Sequence, residues 1–273
     1  MKKILIFATS LLFFAPNAFG LDYTCPTTYD LSSGFSRAMS VASGSNFIHK
    51  TLLENYLEKK LRENIKGDFN IKIDSFSGQD LKEGKFKSLS ATGENIEFGD
   101  FSISSAKLNS ICSFNRYVKT PESKFGFEGD FPATLTLELT ADNINSLAKT
   151  KEYQAIVRKL NQLMRGMLRI EGIKFEVSEG RLWYNIVYST PFMPKRQAFR
   201  VGTTLSMAGA ENPQISGKSA ILNLLNMVNA LNFINPLDFS TKIIENSNIN
   251  AEVTNIHVNG DKVILDLLVN ISE

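Results

Sequence analysis

Few residues in this sequence are of the types that perform catalysis or bind metals, and they lie far apart. Among its 273 residues the chain has two histidines, His49 and His257, and two cysteines, Cys25 and Cys112. A structural zinc site needs four such ligands in clusters, so the sequence predicts no metal site. Ester hydrolysis by a serine nucleophile commonly uses a G-x-S-x-G turn, which the sequence lacks. We therefore expect neither an enzyme nor a bound cofactor.

One enzymatic alternative stays open from the residues alone. A hydrolase acting on cell-wall or lipid material would need two carboxylates, or a serine close to His257, within hydrogen-bonding distance in a cleft. Asp261 and Asp266 are candidate carboxylates for a glycosidase-like pair. The alternating residues around them instead predict solvated positions on a strand.

The first 20 residues have the pattern of a secretory signal peptide. Lys2 and Lys3 precede an apolar stretch of eleven residues, Ile4 to Phe14, and the small residues of the triplet 18–20 indicate cleavage after Gly20. An uncleaved anchor is the alternative, but the apolar stretch is shorter than the roughly 20 residues that span a bilayer. We expect a soluble protein of the periplasm or another extracytoplasmic compartment.

Export determines what the two cysteines are expected to do. Disulfides persist in oxidising compartments, and an even count of two allows one internal bridge, between Cys25 and Cys112. The closed loop of 88 residues would contribute roughly 4 to 5 kcal/mol on the chain-entropy model. A redox-active pair would instead require the close C-x-x-C spacing, which is absent.

The predicted mature chain has no excess of basic residues. Removing Lys2 and Lys3 from the 30 Lys and Arg leaves a number equal to the 28 Asp and Glu. Nucleic-acid binding draws most of its affinity from a concentrated basic surface, so we expect no nucleic-acid partner.

Three segments have helical patterns. In residues 46–66 apolar residues recur at intervals of mostly four, which predicts an amphipathic helix. Thr140 offers an N-cap for a second helical region, with an interruption near residues 149–151. Residues 219–237 carry no charge, but asparagine at every third position argues against a membrane span, and we predict a helix packed inside a curved sheet. The recurring apolar residues of the first helix are Ile48, Leu52, Tyr56, Leu57, Leu61 and Ile65.

Short alternating segments separated by glycines predict an antiparallel sheet. One strand follows Gly67, and two later strand pairs are joined by turns at Glu179–Gly180 and Asn259–Gly260, the second being of the strongest hairpin type. Both hairpins follow a helix, which indicates one arrangement used twice. A sheet with one apolar face, covered by helices, predicts an α+β fold.

The order of features from Phe69 to the C terminus resembles the LmeA-like phospholipid-binding proteins of the bacterial envelope. The resemblance depends on ATLTLELTADNINSLA (Ala133 to Ala148), EVSEGRLWY (Glu176 to Tyr184) and LKEGKFKSLSATGENIEF (Leu81 to Phe98). It implies a tubular, TULIP-like lipid-binding fold, in which a strongly curved antiparallel sheet wraps around long amphipathic helices. It also implies a phospholipid held by its acyl chains. Residues 25–45 have no counterpart in that family.

Two groups of residues would contact such a lipid. The helices supply an apolar lining, and a basic loop near two prolines supplies cations for an anionic headgroup. The predicted lining consists of Leu52, Tyr56, Ile156, Leu160, Met164, Leu225, Met227 and Leu231. The predicted headgroup residues are Lys195, Arg196 and Arg200.

The sequence thus predicts a signal peptide (1–20), an N-terminal extension (21–45) and a single lipid-binding domain (46–273). We expect an exported, non-enzymatic protein that binds phospholipid or a related lipid-linked molecule in an apolar cavity and makes transient contact with the membrane. The alternative is an envelope scaffold or interaction protein with a solid core and no ligand.

Overall fold

The computed structural model describes residues 21–63, 65–98, 101–118, 126–164, 168–207, 209–216, 235, 237, 244–246 and 249–272. Most of these residues form β-strands. The helices are α1 (Gly34–Ala42), α2 (Ser45–Arg62), α3 (Gly78–Lys82), α4 (Ala141–Leu147) and α5 (Lys151–Leu163). The strands are β1 (Lys66–Asp74), β2 (Lys85–Phe86), β3 (Ser88–Phe98), β4 (Phe101–Ser110), β5 (Asn115–Val118), β6 (Gly126–Phe127), β7 (Phe131–Thr140), β8 (Arg169–Ser178), β9 (Arg181–Thr190), β10 (Met193–Ser206), β11 (Gly209–Ser216), β12 (Ile244–Asn246), β13 (Ile249–Asn259) and β14 (Lys262–Ile271).

The strands form three antiparallel sheets. The largest has seven strands in the order β1-β3-β4-β7-β14-β13-β12, the second has four in the order β11-β10-β9-β8, and the third joins β2, β5 and β6. The two predicted hairpins form. Strand β8 pairs with β9 across the predicted Glu179–Gly180 turn, whereas β13 pairs with β14 across Gly260–Asp261, one residue later than predicted, because Asn259 pairs with Lys262. Both turns place a glycine at positive φ, which glycine adopts without steric cost.

The two larger sheets and the helices α4 and α5 contribute to one hydrophobic cluster, the first core. Alternate residues of β14 and β9 are buried, as expected for strands with one apolar face. Residues of the first core include Leu137, Val263 and Leu265 from the large sheet, Phe175, Tyr184 and Val201 from the second sheet, and Ile144 and Leu160 from the helices.

A smaller cluster, the second core, lies at the β1 end of the large sheet. Ile71 and Ile73 of β1 pack there with Leu81 of α3 and Phe86 of β2. One side of α2 covers this cluster. Its contacting residues are Leu53, Leu57 and Leu61.

Two helical predictions are confirmed in detail. Thr140 forms a capping box with Asn143 at the start of α4, in which each side chain satisfies a backbone N–H of the other residue. The chain leaves the helix after Leu147 and re-enters it at Lys151, close to the predicted interruption.

The predicted wrapped, tubular fold is wrong. The structure is 52% strand and 25% helix, and its sheets do not curl strongly around helices. The helices are short, and none is the long amphipathic helix that a sheet could enclose. The longest, α2, has no buried residue and lies beside the edge strand β1 instead of inside the sheet. Most of the predicted helix at 219–237 lies outside the described residues.

Candidate functional site

Helix α2 is attached to the exposed edge of β1 by side chains that replace a neighbouring strand. The N–H of Ile73 donates a hydrogen bond to Glu54 Oε1 at 2.8 Å, and the N–H of Ile71 donates to Glu58 Oε1 at 3.0 Å. Arg62 donates through Nη2 to the carbonyl of Phe69 at 3.3 Å. Successive side chains on the helix are four residues apart, which is an advance of about 6 Å, and their partners on the strand are two residues apart, which is about 6.6 Å. The helix side chains and the strand backbone groups therefore stay aligned along all three contacts. The helix therefore has a fixed rotation about its axis.

The segment before α2 is tied to the rest of the protein at its start. Cys25 and Cys112 form the predicted disulfide, with their Cα atoms 5.5 Å apart. The N–H and hydroxyl of Thr24 both donate to Asp130 Oδ2, at 2.9 and 3.2 Å. The N–H of Leu21 donates to Glu252 at 3.0 Å. The N-terminal extension is thus held against β7 and β13.

A buried polar cluster joins the same segment to α3. Asp80 has no exposed surface; its carboxylate accepts from the N–H of Ser32 at 2.7 Å and from the hydroxyl of Ser77 at 2.6 Å. Burial acts to raise the pKa of Asp80, but the hydrogen bonds from Ser77 and Ser32, with the charge of Arg37, outweigh it and lower the pKa. Ser40 of α1 accepts from the N–H of Gly78 at 2.8 Å. Asp80 is therefore a charged structural residue.

With one side of α2 fixed to β1, its opposite side is left to solvent. We define the outer face of α2 as Ile48, Leu52 and Tyr56, whose exposed fractions are 55%, 61% and 46%. Phe47, 73% exposed, lies on the Glu54 side of the helix, seven residues before Glu54. The spacing from Ile48 to Leu52 to Tyr56 is four residues, so the three form one stripe along the helix. The predicted apolar set of this helix is thus divided: these three residues are exposed, whereas Leu57 and Leu61 contact the second core.

The helix before it adds further apolar surface. Phe35, Met39 and Val41 of α1 are 80%, 55% and 62% exposed. Of the twelve large apolar side chains that are exposed among the described residues, seven lie on α1 and α2. Such clustering marks binding surfaces more often than scattered exposure does. The sequence signal for α1, the four-residue spacing of Phe35 and Met39, was missed because residues 21–45 were predicted to be an extension.

The outer face of α2 ends at a basic group. Lys59 and Lys60 are exposed in the last turn, and Lys60 Nζ lies 6.0 Å from the centre of the Tyr56 ring and 2.6 Å from Glu63. The hydrogen bond with Glu63 raises the pKa of Lys60, so this amine stays charged. Glu54 and Glu58 point to β1, on the other side of the helix. The exposed side therefore combines an apolar stripe with positive charge.

The predicted lipid-lining residues are not brought together in one place. Leu52 and Tyr56 lie on the outer face of α2, whereas Leu160 and Met164 are buried in the first core. Ile156 is partly buried on α5. The other three predicted residues, Leu225, Met227 and Leu231, lie outside the described residues.

The predicted headgroup residues are mostly paired with protein groups. Arg196 Nε donates to Glu171 at 2.6 Å. Arg200 Nη2 donates to Glu176 at 2.9 Å, and its guanidinium lies 4.2 Å from the centre of the Trp183 ring. Lys195 is exposed at the start of β10.

His257 and the candidate carboxylate Asp266 both contact the side-chain amide of Asn255, at 3.2 Å each. The contact of His257 is made by Nδ1, on the exposed side of β13. Asp266 accepts hydrogen bonds from Thr136 and Asn255, which fit a role in holding strands together. Within the described part of the chain, no group of three or more His, Cys, Asp or Glu side chains is arranged to hold a metal ion.

Among the described helices, none has both the length and the apolar character needed to cross a bilayer.

No family model matches this chain, and searches of curated proteins and of solved structures found no match either. The disulfide is compatible with an extracytoplasmic location.

Proposed function

We propose that this protein is an exported, non-enzymatic lipid-binding protein that associates with anionic membrane surfaces through the outer face of α2. The observation that supports the proposal is the continuous stripe of Ile48, Leu52 and Tyr56, which leads into Lys59 and Lys60. Helices that lie in a membrane interface combine an apolar face with Lys or Arg at its border. The proposal keeps the predicted ligand class and places the ligand on the outside of the protein.

The attachment of α2 supports this interpretation. Burying an apolar side chain of this size stabilises a protein by about 1.5 to 3 kcal/mol, so leaving several exposed has a substantial cost. Helix α2 already has a packed side, formed by Leu53, Leu57 and Leu61, and the outer face is additional to it. The outer face is thus not required for the fold.

Charge supports an anionic surface over a neutral one. The acidic residues Glu54 and Glu58 are held against β1, while Lys59 is exposed at the end of the stripe. Lys60 lies beside Tyr56 and pairs with Glu63, so Lys59 supplies the net positive charge there. A basic residue close to an anionic membrane contributes about 1 kcal/mol to binding. Lysines at the C-terminal end of a helix are also stabilised by the helix dipole, which is a structural reason for their position. The apolar stripe is therefore the stronger evidence for membrane binding.

Vesicle binding tests the proposal. The oxidised mature protein is titrated with vesicles of phosphatidylcholine and phosphatidylglycerol, and the bound fraction is measured by flotation. In the double variant Leu52→Ser and Tyr56→Ser, two apolar side chains no longer enter the interface. If each buries about half of its surface there, the binding free energy falls by about 2 kcal/mol, and binding should weaken about thirtyfold. The matched control is Met207→Ser, an exposed apolar residue on no helix, which should bind as the unmodified protein does.

Two results would overturn the proposal: no binding by the unmodified protein, or equal binding by the double variant. Native mass spectrometry of the purified protein separates surface association from the predicted cavity. A single lipid retained without vesicles would favour the cavity.

An envelope interaction protein with a solid core is the second candidate function. The observation that favours it is the first core, in which side chains from both larger sheets and from α4 and α5 form one cluster. On this hypothesis a protein partner covers the outer face of α2. Vesicles would then show no binding, and uptake of a fluorescent phospholipid would be absent.

A further inference from the structure

The turn between β9 and β10 exposes apolar residues at a hairpin tip. Phe192 is 90% exposed, the highest value among the exposed large apolar side chains of the described residues, and Met193 is 45% exposed. Thr190 and Met193 pair across the turn, and the N–H of Met193 donates to Thr190 Oγ1 at 3.0 Å. The two corner positions are therefore Pro191 and Phe192. We call Pro191, Phe192 and Met193 the β9–β10 tip.

Turn formation does not account for the phenylalanine. Proline at the first corner has a suitable φ for a turn, but no turn type requires a large aromatic residue at the second corner. The β8–β9 and β13–β14 hairpins use Glu179–Gly180 and Gly260–Asp261 at the equivalent places. The β9–β10 tip thus differs from these hairpins by presenting hydrocarbon to solvent.

Positive charge collects at the same end of the four-stranded sheet. Arg169 begins β8 and pairs with Ser189 of β9, and Lys195 and Arg196 follow the tip in β10. Glu171 of β8 accepts from Arg196 at 2.6 Å. Among the described residues of these strand ends, three cations, Arg169, Lys195 and Arg196, thus stand against one carboxylate, that of Glu171.

The opposite end of this sheet has the opposite balance. Glu179 lies in the β8–β9 turn and Glu211 lies in β11, whereas Arg181 is the cation between them. The hydrocarbon and the excess of cations thus occur at one end of the sheet, and the excess of carboxylates at the other. A partner that contacts the tip should be apolar inside and anionic at its surface, which is the chemistry of an anionic membrane.

We infer that the β9–β10 tip is a second membrane contact, in which Phe192 and Met193 enter the interface while Lys195 and Arg196 meet lipid headgroups. The inference rests on the proposed function, because it takes the same anionic membrane as the partner. The predicted headgroup residues Lys195 and Arg196 keep their predicted role here, next to an insertion point that the sequence did not indicate. Arg200 does not share it: its side chain is 38% exposed, against 79% for Arg196, and its guanidinium lies on the Trp183 ring as well as against Glu176.

Brominated lipids test whether the tip enters the membrane. Phe192→Trp places a fluorescent side chain at the tip, and Asn259→Trp places one at the exposed turn of the β13–β14 hairpin as the matched control. Native Trp183 is 6% exposed and gives the same background in both variants. Vesicles containing phosphatidylglycerol and brominated phosphatidylcholine should quench the added tryptophan of Phe192→Trp and leave that of Asn259→Trp unchanged.

Affinity provides the second measurement. Replacing Phe192→Ser together with Met193→Ser should weaken vesicle binding about thirtyfold, since two apolar side chains leave the interface. Thermal unfolding should be unchanged, because both side chains are exposed. Vesicle binding without quenching at position 192 and without loss of affinity would overturn this inference alone. If the unmodified protein does not bind vesicles, the proposed function fails as well.

Discussion

The carboxylates that attach α2 to β1 allow a quantitative prediction. Replacing Glu58→Ala leaves the N–H of Ile71 without its acceptor, and replacing Glu54→Ala does the same for Ile73. Ile71 and Ile73 are 5% and 1% exposed, so water cannot easily take the place of the carboxylate. An unsatisfied buried donor costs about 1 to 3 kcal/mol, and we expect about 2 kcal/mol for each substitution.

Hydrogen exchange measures this cost at the two amides themselves. A loss of about 2 kcal/mol from local opening raises an exchange rate about thirtyfold. We expect faster exchange at Ile71 in Glu58→Ala and at Ile73 in Glu54→Ala, with little change in the first core. Glu58→Gln should keep most of the protection, because its side-chain oxygen still accepts a hydrogen bond.

The control for this experiment lies on the same stretch of chain. Glu63 pairs with Lys60 at the surface, and Glu63→Ala should change stability by less than about 0.5 kcal/mol. If Ile71 exchanged in Glu58→Ala as slowly as in the unmodified protein, the carboxylate would not be protecting the strand edge. The argument that the rotation of α2 is fixed would then fail.

Three further predictions concern stability. Cys25→Ser should lower the free energy of unfolding by roughly 4 to 5 kcal/mol in urea titrations, and an effect below 1 kcal/mol would show that the loop was already ordered when unfolded. Gly202→Ala should cost about 1 to 3 kcal/mol by thermal unfolding, because an added Cβ would lie 2.7 Å from the Trp183 ring. Gly172→Ala in β8 meets no atom within 4 Å and is the control. The pKa of Asp80 is lower in the folded protein than in the unfolded chain, where it is about 3.9. Its ionised carboxylate therefore contributes fully to stability above about pH 3.9, and this contribution is lost as the pH falls through the lower folded-state pKa. Asp80→Asn should be less stable at neutral pH and should flatten this acid dependence; an unchanged pH profile would contradict the assignment.

The sequence predicted local structure well where the signal was local. The turn at Glu179–Gly180 and the N-cap at Thr140 depend on a few adjacent residues, and both are confirmed. The disulfide followed from a count of two cysteines and the expected compartment. Each of these predictions needed no knowledge of which elements pack together.

The fold and the site required such knowledge. Helix α2 carries two apolar stripes, one containing Leu52 and the other containing Leu53, about 100° apart around the axis. Periodicity alone does not say which stripe is buried. Contacts between distant segments determine which stripe is buried, and the most important of them is the hydrogen bond between Glu58 and the N–H of Ile71. For the same reason, Phe192 was read as part of a basic loop, and its exposure became visible only with the turn geometry.

The fixed rotation of α2 also determines how a ligand must reach it. Turning the helix by about 100° to bury Leu52 would move Leu53 and Leu57 out of the second core. The same rotation would take Glu54 and Glu58 away from the β1 amides and leave two buried donors unsatisfied. Both costs oppose any closure of the outer face of α2 by the helix itself. The membrane interface proposed as the partner of this face would supply hydrocarbon to it without a change in the fold.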